Sequence, residues 1–569
     1  MKKSHVFRTV IAGALLALAT QLSPAWAADP VGIVKSKASC ASLAQTDLTS
    51  IGGAGSRVVK AAETKDGAVT TCSVEGVLSP TITFKVELPT STWTQRYMQI
   101  GCGGLCGHIS LEAGASDGCA VLDSGGFVTA STDMGHDSMG GEFGRDPQKR
   151  QDFAYRSVHL TAVTAKKLIE AYYGHGPRHS YFNGCSDGGR EALMEAQRYP
   201  DDFNGIIAGA AAMNFQVQNG LYHAWQARSN TGADGKAILT AARLPLLHKA
   251  VIAACNALDG QVDGLISDPL KCHFDPGTLL CSATEKNTDS CLTAAEVDTV
   301  RRLYNGPRDP ATGERLTIGG PLPGSELAWA GVFVPRAANE PIFSEIIAMG
   351  TILNLNFETN PPADYKLADV TFDRAYFDRL RPLHPFYDAT NPDLSAFEKA
   401  GGKLILWHGL ADQHISPINT IAYYQAVEKL LGAKRAAQFT RLYLFPGMYH
   451  CDGGEGPNKI DLLTPMLSWV EKGVAPQEIV ARQTASDDAS GFGQPSGTPP
   501  KDAPKKPAAK SSDKLVRSRP VYPYPYTAKY NGKDDPSLAT SYTRGDREEA
   551  VIEPWAGADF YQPYKPRSE

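Results

Sequence analysis

The sequence has 569 residues, 42% of them apolar, and a formal net charge of −5. This length exceeds what one hydrophobic core usually holds, so we expect two domains or one large domain with a long insertion. The weakly acidic balance and the lack of a basic patch argue against a nucleic-acid partner.

The first 27 residues have the pattern of an export signal. Lys2, Lys3 and Arg8 precede an apolar stretch at 10–18, and Ala25-Trp26-Ala27 matches a small-x-small cleavage site. Loss of those three basic residues would change the formal charge from −5 to −8. The apolar stretch is too short for a membrane anchor, and no later segment approaches the roughly 20 apolar residues that a span needs. We therefore predict a secreted or periplasmic protein without a membrane span.

Short β-prone runs alternate with helical patterns between about residues 80 and 213, which indicates a parallel sheet with helices on its faces. The runs are TITFKVEL, RYMQIG, GFVTASTD and HSYFNG, with a helical pattern at 151–173. The same pattern returns in KLILW, RLYLFP and LLTPMLSWVEKG. We predict an α/β domain in two parts, 28–213 and 396–483.

Three further segments differ from this pattern. Residues 214–395 are irregular and rich in aromatic residues and proline, and we interpret them as a lid inserted over the carboxyl edge of the sheet, where α/β folds place ligands. Residues 484–518 have the composition of a flexible linker. The tail, 519–569, carries RPVYPYPYTAKY and is apolar enough to dock on the body.

A Gly-x-Ser-x-Gly pattern at Gly184-Cys185-Ser186-Asp187-Gly188 follows a β-prone run and precedes the helix former REALMEAQRYP. A strand, a tight turn and a helix are the context of a nucleophile elbow. Ser116 has the same pattern without a convincing strand before it, so we predict that it is a structural turn. Ser186 is the candidate nucleophile.

A serine needs a base and a group that orients the base, and in this fold they follow in the order acid, then histidine. His450 combines a preceding strand with a glycine-rich loop, and Asp412 lies in the loop after KLILW. His408 and His414 flank Asp412 and are candidate bases as well, although hydrogen bonding at the strand end and in the loop is the simpler interpretation.

Eleven cysteines in an exported chain favour disulfides with one thiol left over. Cys185 precedes Ser186 and Cys451 follows His450. If these two are bonded, their Cα atoms lie about 4.4–6.8 Å apart, so that the elbow and the histidine loop are in contact. The alternatives are two unrelated buried cysteines or a cysteine nucleophile.

Several motifs resemble the tannase and feruloyl esterase family of α/β-hydrolases, whose relatives include hydrolases of mono(2-hydroxyethyl) terephthalate. They are GCSDGGREAL, LWHGLADQHISP, FPGMYHCDGG, IGCGGLCG and TDMGH. The resemblance implies a triad of Ser186, Asp412 and His450, a Cys185–Cys451 bridge, and a large lid domain between the nucleophile strand and the acid strand. It also implies an oxyanion hole formed by the backbone amides of Asp187 and of Cys102 or Gly103.

The resemblance further implies a calcium site in the lid, in the stretch CNALDGQVDGLISDPLKC. Its ligands would be the side chains of Asn256, Asp259 and Asp263 and the carbonyl groups of Gln261 and Leu265. Closely spaced oxygen donors with glycines between them suit calcium, although a plain acidic turn is the alternative from the residues alone. No organic cofactor is expected.

The family pattern also suggests three further disulfides, Cys40–Cys72, Cys255–Cys272 and Cys281–Cys291. Of the three remaining cysteines, Cys102, Cys106 and Cys119, we expect the last two to pair.

We therefore predict a secreted serine carboxylesterase that acts on small esters of aromatic acids, such as galloyl or feruloyl esters, through an acyl-enzyme. The alternatives are a terephthalate half-ester hydrolase and an inactive, calcium-stabilised binding protein on the same scaffold.

Overall fold

A computed structural model describes Met1 and residues 32–284, 287–485 and 514–568. Apart from Met1, the predicted export signal lies outside the described residues, as does most of the predicted linker. Among the helices that are described, none has the length and apolar content needed to cross a bilayer.

The central sheet has nine strands in the described part of the chain. They are β1 (Arg57–Asp66), β2 (Val69–Leu78), β3 (Ile82–Pro89), β4 (Arg96–Ile100), β5 (Phe127–Thr132), β6 (His179–Cys185), β7 (Gly205–Gly209), β8 (Lys403–Gly409) and β9 (Thr440–Phe445). Their order across the sheet is β1-β2-β3-β5-β4-β6-β7-β8-β9. From β5 to β9 the neighbours are parallel, which agrees with the predicted alternation. From β1 to β5 they are antiparallel.

Eight helices of seven residues or more accompany the sheet in the described residues. They are α1 (Ser157–Tyr173), α2 (Asp187–Arg198), α3 (His223–Ser229), α4 (Leu244–Cys255), α5 (Ala294–Asn305), α6 (Phe343–Asn354), α7 (Pro417–Leu431) and α8 (Leu463–Lys472). Shorter α-helices occur at Thr49–Gly52, Ala120–Asp123, Pro147–Gln151, Arg374–Asp378, His384–Tyr387, Ser395–Lys399 and Ala433–Ala436. Helix α2 packs on β6 and β7, and α8 packs on β7 and β8. Because helices cover these strands, every residue of β7 is buried.

The residues predicted to form the lid lie between β7 and β8 and contain α3 to α6. They have their own apolar cluster, in which Leu247, Val300, Leu303 and Trp329 are completely buried. The disulfides Cys255–Cys272 and Cys281–Cys291 join neighbouring segments of this region. The insertion therefore carries a core separate from the one around the sheet.

Two antiparallel strand pairs follow the sheet. Strand β10 (Ile479–Thr484) pairs with β11 (Leu515–Val521), and β12 (Tyr526–Tyr530) pairs with β13 (Tyr542–Arg547). We expected Thr484 and residues 515–518 to lie in the linker. They lie instead in β10 and β11, because the backbones of these two strands pair with each other. The tail reaches α7, where the side chain of Gln425 donates a hydrogen bond of 2.8 Å to the hydroxyl of Tyr524.

Five disulfides and one free thiol account for all eleven cysteines. The bonds Cys185–Cys451, Cys40–Cys72, Cys255–Cys272 and Cys281–Cys291 are present as expected.

The expected pairing of Cys106 with Cys119 is wrong, because Cys106 bonds to Cys102 and Cys119 is a buried free thiol. A tight turn, in which the Cys106 amide donates to the Gly103 carbonyl, brings the Cα atoms of Cys102 and Cys106 to 5.4 Å. Cys119 packs in a different apolar cluster, with Met98 and Phe127.

Candidate active site

The turn between β6 and α2 holds Ser186 in a strained backbone conformation, with φ 65° and ψ −121°. Non-glycine residues seldom adopt positive φ, and their occurrence at a strand-to-helix turn is typical of a nucleophile elbow. The amide of Ser186 donates to the carbonyl of Gly209 at 3.0 Å, and its carbonyl accepts from the amide of Ala212 at 2.9 Å. The end of β7 thus holds the turn in place.

Glycines allow the strand and the helix of this elbow to approach closely. A Cβ on Gly184 would lie 2.2 Å from the carbonyl oxygen of Gly188, and a Cβ on Gly188 would lie 2.9 Å from the carbonyl oxygen of Cys102. No larger residue fits at either position without moving backbone. The glycines therefore place the loop after β4 directly beside the elbow.

Asp412 and His450 are brought together from the loops after β8 and β9. Nδ1 of His450 lies 2.7 Å from Oδ2 of Asp412, and both side chains are buried. This contact leaves Nε2 of His450 free to act as a proton acceptor. The backbone amides of His414 and Ile415 donate to Oδ1 of Asp412 at 2.7 and 2.9 Å, which fixes the carboxylate.

His408 contacts the same carboxylate oxygen from the end of β8. Its Nε2 lies 3.0 Å from Oδ2 of Asp412, and its Nδ1 lies 2.7 Å from the hydroxyl of Thr420. Burial alone would raise the pKa of Asp412, but the charges and hydrogen bonds of His450 and His408 hold that pKa well below its usual range. Asp412 is therefore ionised, and His408 is a hydrogen-bond partner of the acid.

The Cys185–Cys451 disulfide joins the residue before Ser186 to the residue after His450, with 6.0 Å between the Cα atoms. Cys451 also has a positive φ of 62°. The bond holds the elbow and the histidine loop beside each other, although they are far apart in sequence.

The loop after β4 holds the two amides expected to complete the oxyanion hole with Asp187. The amide of Cys102 donates to Oε1 of Glu191 at 3.3 Å. That contact directs the Cys102 amide toward α2, so Gly103 is the better candidate for the second donor. The amide of Asp187 lies at the first position of α2, where helix amides have no partner within the helix.

The Asp187 carboxylate forms a buried ion pair with Arg190, whose Nε lies 2.7 Å from Oδ1. Arg190 also donates to the carbonyls of Ala154 and Phe153 at 3.0 and 3.1 Å. The side chain of Asp187 is thus held within the protein, and only its backbone is suited to the oxyanion.

Ring contacts connect His450 to the lid through His414, in the loop after β8. The ring centroids of His414 and His450 are 4.8 Å apart, and the half-buried ring of Phe343 lies 4.8 Å from His414. His223 is 5.5 Å from Phe343, and burial lowers the pKa of His223 well below its usual value, with further lowering by His414 and His450. A series of ring contacts therefore runs from His450 through His414 to Phe343 and His223 of the lid.

The predicted calcium ligands lie in one loop of the lid. Asn256 accepts from the amides of Asp263 and Gly264 at 3.2 and 3.0 Å, and Oδ1 of Asp259 accepts from the amide of Gln261 at 2.9 Å. Gly260 and Gly264 have positive φ, which lets the loop curl. Oδ2 of Asp263 accepts from Arg519 of the tail at 2.6 Å, so one carboxylate oxygen has a protein cation as its partner.

Sequence reasoning did not identify Glu191, because its contact with the Cys102 amide has no signal in the spacing. For His408, hydrogen bonding at the strand end was the simpler interpretation, and its contact with Asp412 agrees with that interpretation. Ser116 is the structural turn that was predicted, since its hydroxyl donates to the carbonyl of Ala113 and its backbone pairs with Asp461.

Comparison with known proteins adds independent evidence. The family model "Tannase and feruloyl esterase" matches residues 67–545. An uncharacterized esterase of Xanthomonas campestris pv. campestris is 34% identical, over 83% of this chain and 84% of its own. The mono(2-hydroxyethyl) terephthalate hydrolase of Piscinibacter sakaiensis is 29% identical, over 88% of this chain and 90% of its own.

The crystal structure of feruloyl esterase B from Aspergillus oryzae superimposes with a TM-score of 0.73 and 25% identity, and covers 89% of this chain and all of that chain. The predicted α/β-hydrolase fold is thereby confirmed. The named relatives are esterases, so the protein is a carboxylic ester hydrolase. The chain belongs to the tannase and feruloyl esterase family.

Proposed function

We propose that the protein hydrolyses small esters of aromatic acids by an acyl-enzyme mechanism with Ser186 as nucleophile. The observation that carries the proposal is the His450–Asp412 hydrogen bond of 2.7 Å, in a loop that a disulfide joins to the strained Ser186 turn. A base with an oriented imidazole beside an elbow serine is the arrangement that acyl transfer needs.

In this mechanism Nε2 of His450 takes the proton of Ser186 as its oxygen attacks the ester carbonyl. The amides of Asp187 and Gly103 stabilise the oxyanion. His450 then gives the proton to the leaving alcohol, and a water molecule, activated by the same histidine, releases the acid. Asp412 stays ionised throughout, because its low pKa favours the carboxylate at every step.

The lid supports the choice of an aromatic acid. His414, from the loop after β8, lies beside His450, and the lid residues Phe343 and His223 extend this series of ring contacts. Aromatic rings pack favourably against each other in offset or edge-on arrangements, and such pairs contribute about 0.5–1.5 kcal/mol beyond area burial. Under this proposal, an aromatic acyl group on Ser186 packs against these rings.

A panel of methyl gallate, methyl ferulate, the terephthalate half-ester and a simple alkyl acetate tests the assignment, with Ser186→Ala as the inactive control. We expect kcat/KM for at least one aromatic ester to exceed that for the acetate by tenfold or more. Preference for the acetate would contradict the aromatic assignment. The half-ester is included because the relative from Piscinibacter sakaiensis carries that activity in its name.

Labelling with a serine-reactive phosphonate tests the nucleophile separately. Mass spectrometry of the labelled protein should find the phosphonyl group on Ser186 and no label on Ser116. A label elsewhere, or none in oxidised protein, would contradict the mechanism.

We also propose that the lid loop holds a structural Ca²⁺ through Asn256, Asp259, Asp263 and the carbonyls of Gln261 and Leu265. This set of ligands fits Ca²⁺, because all five groups offer oxygen atoms and two glycines with positive φ let the loop curl. The ion would cross-link the loop after α4, and no proton transfer is assigned to it. Asn256 and the Arg519 contact reduce the negative charge available to it.

Finally, we propose that the protein is exported to the periplasm or the medium. Five disulfides support this, because such bonds persist in oxidising compartments and are rare in the cytosol. Cell fractionation of the native host, with antibody detection and amino-terminal sequencing, would locate the protein and identify any cleavage near Ala27.

A further inference from the structure

His248, in helix α4 of the lid, lies between two carboxylates. Its Nδ1 is 2.6 Å from Oε2 of Glu326, and its Nε2 is 2.9 Å from Oε2 of Glu455. Glu326 belongs to the lid, whereas Glu455 belongs to the loop between β9 and α8 that carries His450 and Cys451. The imidazole ring therefore bridges the lid and the catalytic histidine loop.

The hydrogen-bond pattern requires a charged imidazole. A neutral imidazole has one N–H donor, yet both ring nitrogens of His248 face carboxylate oxygens. Glu326 is an acceptor at its other oxygen too, because the hydroxyl of Tyr304 and the amide of Gly324 donate to Oε1 at 2.5 and 2.7 Å. Because Tyr304 and Gly324 already donate to Glu326, we assign the proton of the His248–Glu326 contact to the imidazole.

The titration of His248 agrees with this geometry. Burial on its own would lower the pKa of His248, but hydrogen bonds and charges from Glu326 and Glu455 raise it to about 9. The other titratable groups that face the cluster are Tyr304 and Tyr449, and burial raises the pKa of both hydroxyls well above the usual value. They stay neutral through the range in which His248 loses its proton.

A second contact connects the same elements beside the bridge. Tyr449, the residue before His450, packs with Ala328 of the lid and with Ala411, the residue before Asp412, in a small buried cluster. Within the loop, the amide of Tyr449 donates to the carbonyl of Gly453 at 3.1 Å, and the amide of Gly456 donates to the carbonyl of Gly447 at 3.1 Å. Glu455 lies beside these bonds. Its contact with His248 therefore restrains the hairpin that presents His450.

We propose that His248 is a positioning residue that fixes the His450 loop against the lid through the Glu326–His248–Glu455 bridge. The role rests on the proposed function, since it assigns His248 to the orientation of the base. The bridge is complete while His248 is protonated and loosens as pH rises through about 9. A raised histidine pKa means that its contribution is fully present below pH 6.5 and is lost above the folded-state pKa.

Hydrogen exchange tests the bridge without any substrate. In the full-length, oxidised protein we expect amide protection of residues 447–456 in His248→Gln and Glu455→Gln to fall at least fivefold below wild type at pH 7.5. In wild type the protection, corrected for intrinsic exchange, should fall between pH 8 and 10. Arg301→Gln is the matched control, because it removes an exposed lid ion pair with Asp275. Unchanged protection in both variants would overturn the proposal.

Kinetics then connect the bridge to the reaction. Since misplacing a catalytic group by about 1 Å costs on the order of a hundredfold, we expect kcat of His248→Gln and Glu455→Gln to fall about tenfold with little change in KM. The fall of wild-type kcat on the alkaline side should be missing in Glu455→Gln.

If the loop loosens and kcat is unchanged, the positioning role is wrong while the proposed function stands. If wild type hydrolyses no ester of the panel, the proposed function fails, and the exchange result still decides whether the bridge exists.

Discussion

Cys185 and Cys451 are joined by a disulfide although they are 266 positions apart in sequence. One stands beside the candidate nucleophile and the other beside the candidate base. The bond therefore constrains two loops that the sheet alone places only roughly, because each loop extends beyond the end of its own strand.

Replacing both cysteines by alanine should lower kcat more than it raises KM, because the bond orients His450 and does not contact substrate. A fall of about a hundredfold is expected if the base moves by about 1 Å. Unfolding in denaturant should also become easier, since closure of so long a loop restricts the unfolded chain by roughly 5 kcal/mol on the entropy model. Steady-state kinetics and equilibrium unfolding give both values.

The matched control removes Cys281–Cys291, a lid disulfide that closes a separation of only 10 residues. That double variant should keep kcat. If the Cys185–Cys451 variant is folded and retains wild-type kcat, the bond is dispensable for catalysis.

Asp412→Asn should reduce kcat by about four orders of magnitude, because a neutral amide presents the wrong donor or acceptor to Nδ1 of His450. Asp388→Asn is a matched control, since Asp388 contacts His384 at 2.7 Å in a buried pair outside the site. Its kcat should stay within a few-fold of wild type. Equal losses in the two variants would show that the effect is on folding.

The same substitution has a predictable pH dependence. A carboxyl pKa below the unfolded value of 3.8 adds stability above that pH, and the addition disappears as pH falls toward the folded-state pKa. The gap in unfolding free energy between wild type and Asp412→Asn should therefore be large at pH 7 and shrink below pH 3.8. Urea titrations across pH 2–7 measure this, and a gap independent of pH would contradict the low pKa.

The sequence predicted five of the six parallel strands, among them β6, β8 and β9, because these runs are short and bounded by turn residues, but it did not single out β7. It did not predict β1 and β2, in which polar residues interrupt the apolar ones and leave no long continuous apolar run. An antiparallel hairpin needs only one apolar face, so its composition resembles that of a loop.

Ser186, Asp412 and His450 were predictable because the nucleophile, acid and histidine of this fold follow one another in a known order along the sequence. The wrong pairing of Cys106 with Cys119 shows what spacing alone cannot predict. The observed bond to Cys102 depends on a turn at Gly103 that spacing did not reveal. The bridge through His248 joins side chains from three separate segments and has no local pattern at all. Such contacts arise from packing of the lid on the hydrolase body.

Calcium removal provides a test of the lid loop. If Ca²⁺ binds there, adding it to chelator-treated protein should raise the melting temperature, since a ligand at 100 times its Kd stabilises by about 2.7 kcal/mol. Asp263→Asn should abolish that shift. Asp275→Asn, in an exposed lid pair with Arg301, should preserve it. A melting temperature unaffected by chelator and by calcium in wild type would contradict the site.

Glu191→Gln should retain wild-type kcat, whereas Glu191→Leu should lose it. Burial raises the pKa of Glu191 well above its usual value, and the nearby charge of Asp187 raises it further, which favours the neutral carboxyl. Glutamine keeps a neutral acceptor for the Cys102 amide, which Glu191 meets at 3.3 Å, and so preserves the loop that presents Gly103. Leucine leaves that buried amide without a partner.

Stability against pH separates this explanation from a simple packing effect. A raised carboxyl pKa means that wild type keeps the full contribution of Glu191 only below the unfolded value of 4.5 and loses it as pH rises. Glutamine has no proton to lose, so the unfolding free energy of Glu191→Gln should gain on wild type between pH 4.5 and pH 8. Urea unfolding at three pH values within this window measures the difference, and a constant offset would mean that Glu191 is ionised in the folded protein.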